Sequence, residues 1–349
     1  MKKLPSMKDV AIKAGVSKTA VSLALRNDPQ ISEKRKKQIL KIAKSMGYVR
    51  NPKIGELMSQ MRGAASGNHH GIIGIVNCNQ DSTALRAHPT IPNYVEGCKR
   101  RAKSLGYHVD TFWLYEPNLS SERWIGILES RGISGLVLVG MMKQNKIPDF
   151  FMPVVEQFPS AVTGVRTRRP ALSFASVDHH ILTLRTFEKA IELGYKRPGL
   201  ALESTIDQLV EHRFIAAYQI GQQLIPPENR LQPFLDVDAA KEDMNLFQNW
   251  LEKEKPDVIF TLYNIVDKWV QGLGYKVPDD IGLIQLEWRS YRPHWAGMNQ
   301  HNDICGEAAV DMLINMIYNG EKGFPEYPRA TLIGSSWIDG ETIRYDLKK

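Results

Sequence analysis

In the stretch KTAVSLALR, residues 18–26, a helix would leave Lys18, Thr19, Ser22, Leu23 and Arg26 facing outward. Their chemistry suits the edge of a DNA base pair. Lysine donates to guanine O6 and N7, threonine hydrogen-bonds or touches a thymine methyl, and leucine offers only apolar contact. Ser22 and the run Lys34-Arg35-Lys36-Lys37 suit phosphate oxygens, which supply affinity and position without sequence information. Signals for catalysis are missing. GIIGIV (71–76) is not a dinucleotide fingerprint, and the chain shows no Walker loop, GxSxG elbow, HExxH or catalytic Cys/His arrangement. The bland reading of the basic residues is the solvated face of a three-helix bundle that serves as a protein-interaction module.

The elements that must position these residues are three short helices. Ser6 can cap the first, with Asp9 at capping-box spacing; Val10, Ala11 and Ala14 face inward, and Gly15 ends it. Ser17 can cap KTAVSLAL, with Val21 and Leu25 inward. After the turn at 27–29, Ser32 can cap a third helix in which Ile39, Ala43 and Met46 recur, with Gly47 placed as its C′ residue. Helix, Gly-containing turn, short helix and supporting helix make a helix-turn-helix pattern, whose second helix enters the major groove. Beyond it, NPKIGELMSQMRG (51–63) reads as a capped helix too short to be stable alone in water.

Charge divides the chain in the same place. Residues 1–62 hold fifteen Lys/Arg against four acids, a net +11, so the whole-chain value of +7 leaves −4 for the rest. A basic module on a mildly acidic body points to a polyanion partner for the module. At 349 residues with 43% apolar content, the chain exceeds one core and calls for two or more domains. It has no run of 18 apolar residues and no apolar segment after MKKLPSMKDV, so neither a membrane span nor secretion is expected. Cys78, Cys98 and Cys305 are scattered thiols of a cytoplasmic protein, with no metal spacing. The pairs His69-His70 and His179-His180 lack a third ligand, and neighbours on a strand would face opposite ways. Neither cofactor nor metal is expected.

The segment MKDVAIKAGVSKTAVSLALRNDPQISEKRKKQILKIAKSMGYVRNP resembles the DNA-binding head of the lactose-repressor (LacI) family of bacterial regulators. Its DVA…AGVS..AVS…L pattern, followed by IS, GY and NP, stands in family order. Carried over by position, the resemblance implies a DNA-facing set of Ser6, Ser17, Lys18, Thr19, Ser22, Leu23, Arg26, Lys36, Asn51 and Leu57. Most members carry arginine at the position of Leu23 and asparagine at that of Arg26, so the half-site preference of other members does not transfer. The resemblance also makes 51–62 a hinge helix that orders on operator DNA, pairs with its dimer mate and wedges Leu57 into the minor groove.

Downstream, strand-like runs alternate with helical stretches. GIIGIV, HVDTFWL, GLVLVG, PGLALE, VIFTLY and GLIQLE read as strands, with AVTGV and FASV as shorter ones, which implies an α/β body with parallel sheets in two lobes. It resembles the two-lobed periplasmic-binding-protein fold that the family uses to sense small molecules. Lobe crossings are expected near 175–183, 296–303 and 325–333. The resemblance implies effector contacts from Asp178, Arg213, Asn264 and Glu287, with Asn77 and Asn79 from the other lobe; Trp113, Tyr263 and Trp288 could stack on a sugar ring.

The expected fold is a small all-α helix-turn-helix domain (1–50), a hinge helix and linker (51–70), and an α/β two-lobed effector-binding and dimerisation domain (71–349). The expected function is a non-enzymatic, sequence-specific transcription regulator, a repressor. It would bind a pseudo-palindromic double-stranded operator as a homodimer, under a sugar-like small-molecule effector and without membrane contact. The alternative is a two-lobed α/β enzyme or sugar-binding protein whose basic module mediates protein interaction.

Overall fold

The computed structural model describes residues 5, 7–25, 30–46, 48 and 70–345. Ser6, Arg26, Asn51 and Leu57, Gly47, and the hinge helix expected over 51–62 lie outside the described residues.

Among the described residues the head has three helices, α1 (Met7–Ala14), α2 (Lys18–Leu25) and α3 (Glu33–Ser45). Val10, Ala11, Val21, Ala24, Ile39 and Ala43 form its core, with Ala14, Leu25 and Met46 packed around them. Gly15 takes a left-handed conformation (φ +62°), which stops α1 and lets the Val16 N–H reach the Ala11 carbonyl at 3.0 Å. Ser17 caps α2, its Oγ accepting from the Ala20 N–H at 3.1 Å. Ser32 stands at the N-cap of α3 as expected, but its side chain makes no capping hydrogen bond.

Among the described residues the body has eleven strands in two sheets. They are β1 (Gly71–Asn77), β2 (Tyr107–Trp113), β3 (Ile133–Val139), β4 (Ser160–Thr163), β5 (Phe174–Val177), β6 (Pro198–Ala201), β7 (Val258–Thr261), β8 (Gly282–Gln285), β9 (Ala296–Asn299), β10 (Ala330–Ile333) and β11 (Ser336–Ile338). Its helices are α4 (Ala84–Ala87), α5 (Ile91–Ser104), α6 (Ser121–Ser130), α7 (Met152–Gln157), α8 (His179–Leu193), α9 (Ser204–Leu209), α10 (Arg213–Gly221), α11 (Val237–Glu242), α12 (Asn245–Glu254), α13 (Ile265–Gly272) and α14 (Asn302–Asn319). The first sheet runs β10-β5-β4-β3-β1-β2 and the second β11-β9-β8-β7-β6. All pairings are parallel except the antiparallel β11–β9 edge.

Both faces of the first sheet are covered, which is why β1 reads as a continuous apolar run rather than an alternating one. Ile73 and Ile75 join the core under α5 and α14, while Val76 turns to the opposite cluster around Trp124 and Phe151. The second sheet packs Phe247, Trp250, Trp269 and Trp295 on one side. The chain passes between sheets at Asp178, at Gln300-His301 and at Gly334-Ser335. The first two fall inside the expected ranges. The third lies just past the expected 325–333, because residues 330–333 form an edge strand of the first sheet before the chain leaves it. His179 and His180 open a helix, not a strand. Among the described residues no helix is long and apolar enough to cross a membrane.

Candidate functional site

On the head, Ser17 holds the start of α2 open to solvent. Lys18 and Thr19 are exposed there, and Ser22 and Leu23 are partly so one turn on. A recognition helix needs this arrangement: a capped N-terminus with its first turn outward and Val21 and Ala24 buried behind it. In the basic run Lys34, Arg35 and Lys37 are exposed. Lys36 differs. Its Nζ lies 2.8 Å from Glu33 Oε1 and its side chain is only 15% exposed, so it is already engaged along α3. The contact to Lys36 holds the exposed Glu33 carboxyl below its usual range.

In the body, a cavity of about 330 Å³ lies between the lobes, where loops from both sheets converge. His88, Thr90, Gly140–Met142 and Thr163–Val165 line it from the first lobe. Leu209, Phe214, Leu262–Asn264, Glu287, Arg289 and Gln300 line it from the second and from a crossing. These loops follow the carboxyl ends of β3, β4, β7, β8 and β9, where open α/β sheets place their ligands. Its volume sits at the lower end of the ~300–1,000 Å³ usual for ligand sites.

Local chemistry fixes each wall. His88 Nδ1 accepts from the backbone N–H of Thr90 (3.1 Å) and Ile91 (3.4 Å), which secures the start of α5. That role leaves the ring proton on Nε2. Burial, then the nearby Arg289 charge, lowers the His88 pKa, with Asp81 opposing. His179, at the start of α8, is 6% exposed with its ring 4.9 Å from Phe214. Burial and then the Arg213 guanidinium push its pKa down to about 3, so it is neutral at ordinary pH. Across the cavity edge, Glu287 Oε2 accepts from Arg289 (2.8 Å) and from the Thr90 hydroxyl (3.2 Å), and Oε1 accepts from Asn302 (2.9 Å). Burial opposes the Arg289 charge, but the Glu287 carboxylate and Tyr291 together outweigh it, so its pKa is raised.

Of the six residues expected to hold an effector, Asn264 and Glu287 line this cavity. Asn264 Oδ1 accepts from Gln285 at 2.7 Å. Arg213 lines a smaller pocket of about 10 Å³, on the side of His179 that faces Arg166, Ser176 and Leu332. Asp178 caps α8, its Oδ1 accepting from the Ile181 N–H at 3.3 Å and lying 3.8 Å from Arg213. The start of α10 is secured by Asp207, a fully buried carboxylate that accepts from the N–H of Phe214 and Ile215, each at 3.1 Å. Asn77 is spent on its own loop, donating to the Asp81 carbonyl (2.9 Å) and accepting from the Asn79 N–H (3.0 Å). Asn79 donates to the Gly140 carbonyl at 3.4 Å, beside a separate small pocket. Tyr263 lines the cavity, whereas Trp113 braces the Asn79 carbonyl and Trp288 packs on the second-sheet core.

Sequence reasoning missed Thr90, His88, His179, Phe214 and Arg289. For Arg289 a local signal existed: its two-residue spacing from Glu287 brings the two to one side of an extended segment. Thr90 had none, since its partner Glu287 is 197 residues away.

A helix-turn-helix head on a two-lobed, periplasmic-binding-protein-like body is the architecture of a ligand-sensing transcription regulator. Residues 6–51 match the model described as "Bacterial regulatory proteins, lacI family". It is 26% identical to an HTH-type transcriptional regulator of Lachnoclostridium phytofermentans, over 97% of this chain and 99% of that protein. Among solved structures it is similar in fold to the transcriptional regulator CelR in complex with cellobiose (TM-score 0.58, 16% identity, 97% of this chain and 99% of that one). It is likewise similar to the Lac repressor dimer bound to operator and the anti-inducer ONPF (TM-score 0.55, 18% identity, 97% and 99%).

Proposed function

We propose that this protein is a repressor that binds a pseudo-palindromic operator as a homodimer and is controlled by a small molecule in the interlobe cavity. The observation that carries the reading is the join of two parts in one chain. One is a capped recognition helix presenting Lys18 and Thr19; the other is a largely apolar cavity between the lobes. Two-fold symmetry in the protein matches two half-sites in the DNA. Lys18 and Thr19 then read bases, with Leu23 on a thymine methyl. Lys34, Arg35 and Lys37 meet phosphates, joined by Lys36 if it leaves Glu33.

Ser6, Ser17, Ser22 and Arg26 complete the contact set in this reading, and Asn51 and Leu57 supply a hinge helix at the minor groove. An effector acts by its differential affinity for two arrangements of the lobes, which changes the spacing of the paired heads. The relatives are named regulators, and we assign no catalysis to the body. A cytoplasmic location follows from the DNA partner. The test is a mobility shift of the full chain on DNA upstream of its own gene. A specific complex should survive excess competitor DNA, and Lys18→Ala should lose discrimination between operator and competitor. Loss of every specific band for the unmutated chain would refute the assignment.

A further inference from the structure

The two charges in the cavity wall are spent on each other. Both oxygens of Glu287 are occupied by donors from Arg289, Thr90 and Asn302, and the Thr90 hydroxyl also accepts from Arg289 at 3.3 Å. Glu287, Thr90 and Asn302 are each under one-tenth exposed, so water does not stand in for these partners. A ligand hydroxyl that donates to this carboxylate would find three of its roughly four acceptor positions already taken. The two histidines add no charge. His88 is committed through Nδ1 to the backbone of α5, and His179 is buried against Phe214. Much of the remaining wall is apolar, with Met141, Leu209, Phe214 and Leu262 among its surfaces.

We propose that this cavity takes an uncharged small molecule with an extended apolar face, and that it rejects phosphate- and carboxylate-bearing ligands. Arg289 keeps a buried Nε–H without a partner, but Glu287 already offsets its charge at 2.8 Å, so an entering anion would find no net positive charge, and burying an uncompensated charge is strongly disfavoured. A cation would find no open carboxylate. An apolar face meets Phe214 and its aliphatic neighbours, while neutral groups such as the His88 Nε2–H and the Gln300 amide orient it. This class rests on reading the cavity as the effector site, and it narrows the sugar-like effector expected from the sequence to uncharged ligands.

The test measures the melting temperature of the full chain in inorganic phosphate, with ionic strength held constant by sodium chloride. Arg289→Gln retains the basic head and so subtracts phosphate bound there. The wild type should respond no more than Arg289→Gln. Glu287→Gln, which frees Arg289, should gain roughly 2 °C or more over both. If Glu287→Gln fails to fold by circular dichroism, Glu287→Asp draws the carboxylate back from Arg289 instead and should show the same gain. A phosphate response in the wild type that Arg289→Gln abolishes would overturn the proposal, as would no gain in the freed variant. In the same assay, benzamide should outperform benzoate, and glucose should outperform glucose 6-phosphate. A charged member that wins its pair on the wild type, but not on Arg289→Gln, also overturns it. The operator mobility shift on the same preparation tests the regulator reading separately, because it depends on the head and not on the charge of the cavity.

Discussion

His179 shows how placement decides what a titratable residue does. As the first residue of α8, 6% exposed against Phe214 and near Arg213, it resists taking up a proton in the folded state. Its folded pKa of about 3 lies below the ordinary histidine value of 6.5. The unfolded chain therefore binds the extra proton first as pH falls. Stability from this residue is fully present above about pH 6.5 and is lost progressively toward pH 3, by about 2 kcal/mol between pH 7 and pH 5. Unfolding free energies from urea titrations at the two pH values should fall for the wild type by that much more than for His179→Gln. An equal fall would show that His179 titrates normally. Nothing in SVDHH announced this behaviour: an adjacent histidine pair reads the same whether it is buried, exposed or metal-bound. Lys36 is the converse case. The Glu33–Lys36 spacing was legible as a helix pair, and that pair now competes with the phosphate role given to the whole run.

At the scale of elements, the first lobe depends on how closely α5 and α14 cross. A Cβ built on Gly97 would overlap the Asp303 carbonyl, and one on Gly306 would overlap the Tyr94 carbonyl, so each helix presents a glycine to the other's backbone. Cys98 Sγ lies 3.3 Å from the Gly306 carbonyl in the same seam, and Arg100 pairs with Asp303 and Glu307 at its solvent edge. Gly97→Ala and Gly306→Ala should each destabilise by about 1–3 kcal/mol through overpacking, despite alanine's better helix propensity. Chemical denaturation checks this, and a neutral or stabilising result would mean that the helices can part at no cost. The head illustrates the opposite regime. Its helices were legible because caps, a left-handed glycine and apolar spacing all lie within a few residues of one another. The strands β9 and β10 were read only as lobe crossings and β11 was not read at all, since three or four residues such as AGMN carry too little pattern to distinguish an edge strand from a connection.

For the whole molecule, the relation of the lobes rests on contacts of unequal weight. Arg168 and Glu211 meet across the lobes in a two-point pair (2.8 and 3.2 Å), but both are partly exposed, with Arg168 51% so. Thr90 reaches Glu287 in a buried setting. Arg168→Ala should therefore cost under about 1 kcal/mol, whereas Thr90→Val, equal in shape, should cost about 1–2 kcal/mol by removing a buried bond to a charged group. Equilibrium unfolding in urea distinguishes them, and reversed magnitudes would relocate the main interlobe tie to the surface. The sequence by itself determined the parts: a basic three-helix head with Lys18 and Thr19 facing outward, a division of charge near residue 62, and an alternating α/β body. Each of these follows from short-range patterns of capping, periodicity and composition. Only the tertiary structure decided the cavity. It moved Arg213, Asn77 and Asn79 off the main wall and brought Thr90 to Glu287. It also held two histidines neutral, because hydrogen-bond partners and burial there are set by residues that the chain brings together across as many as 197 positions.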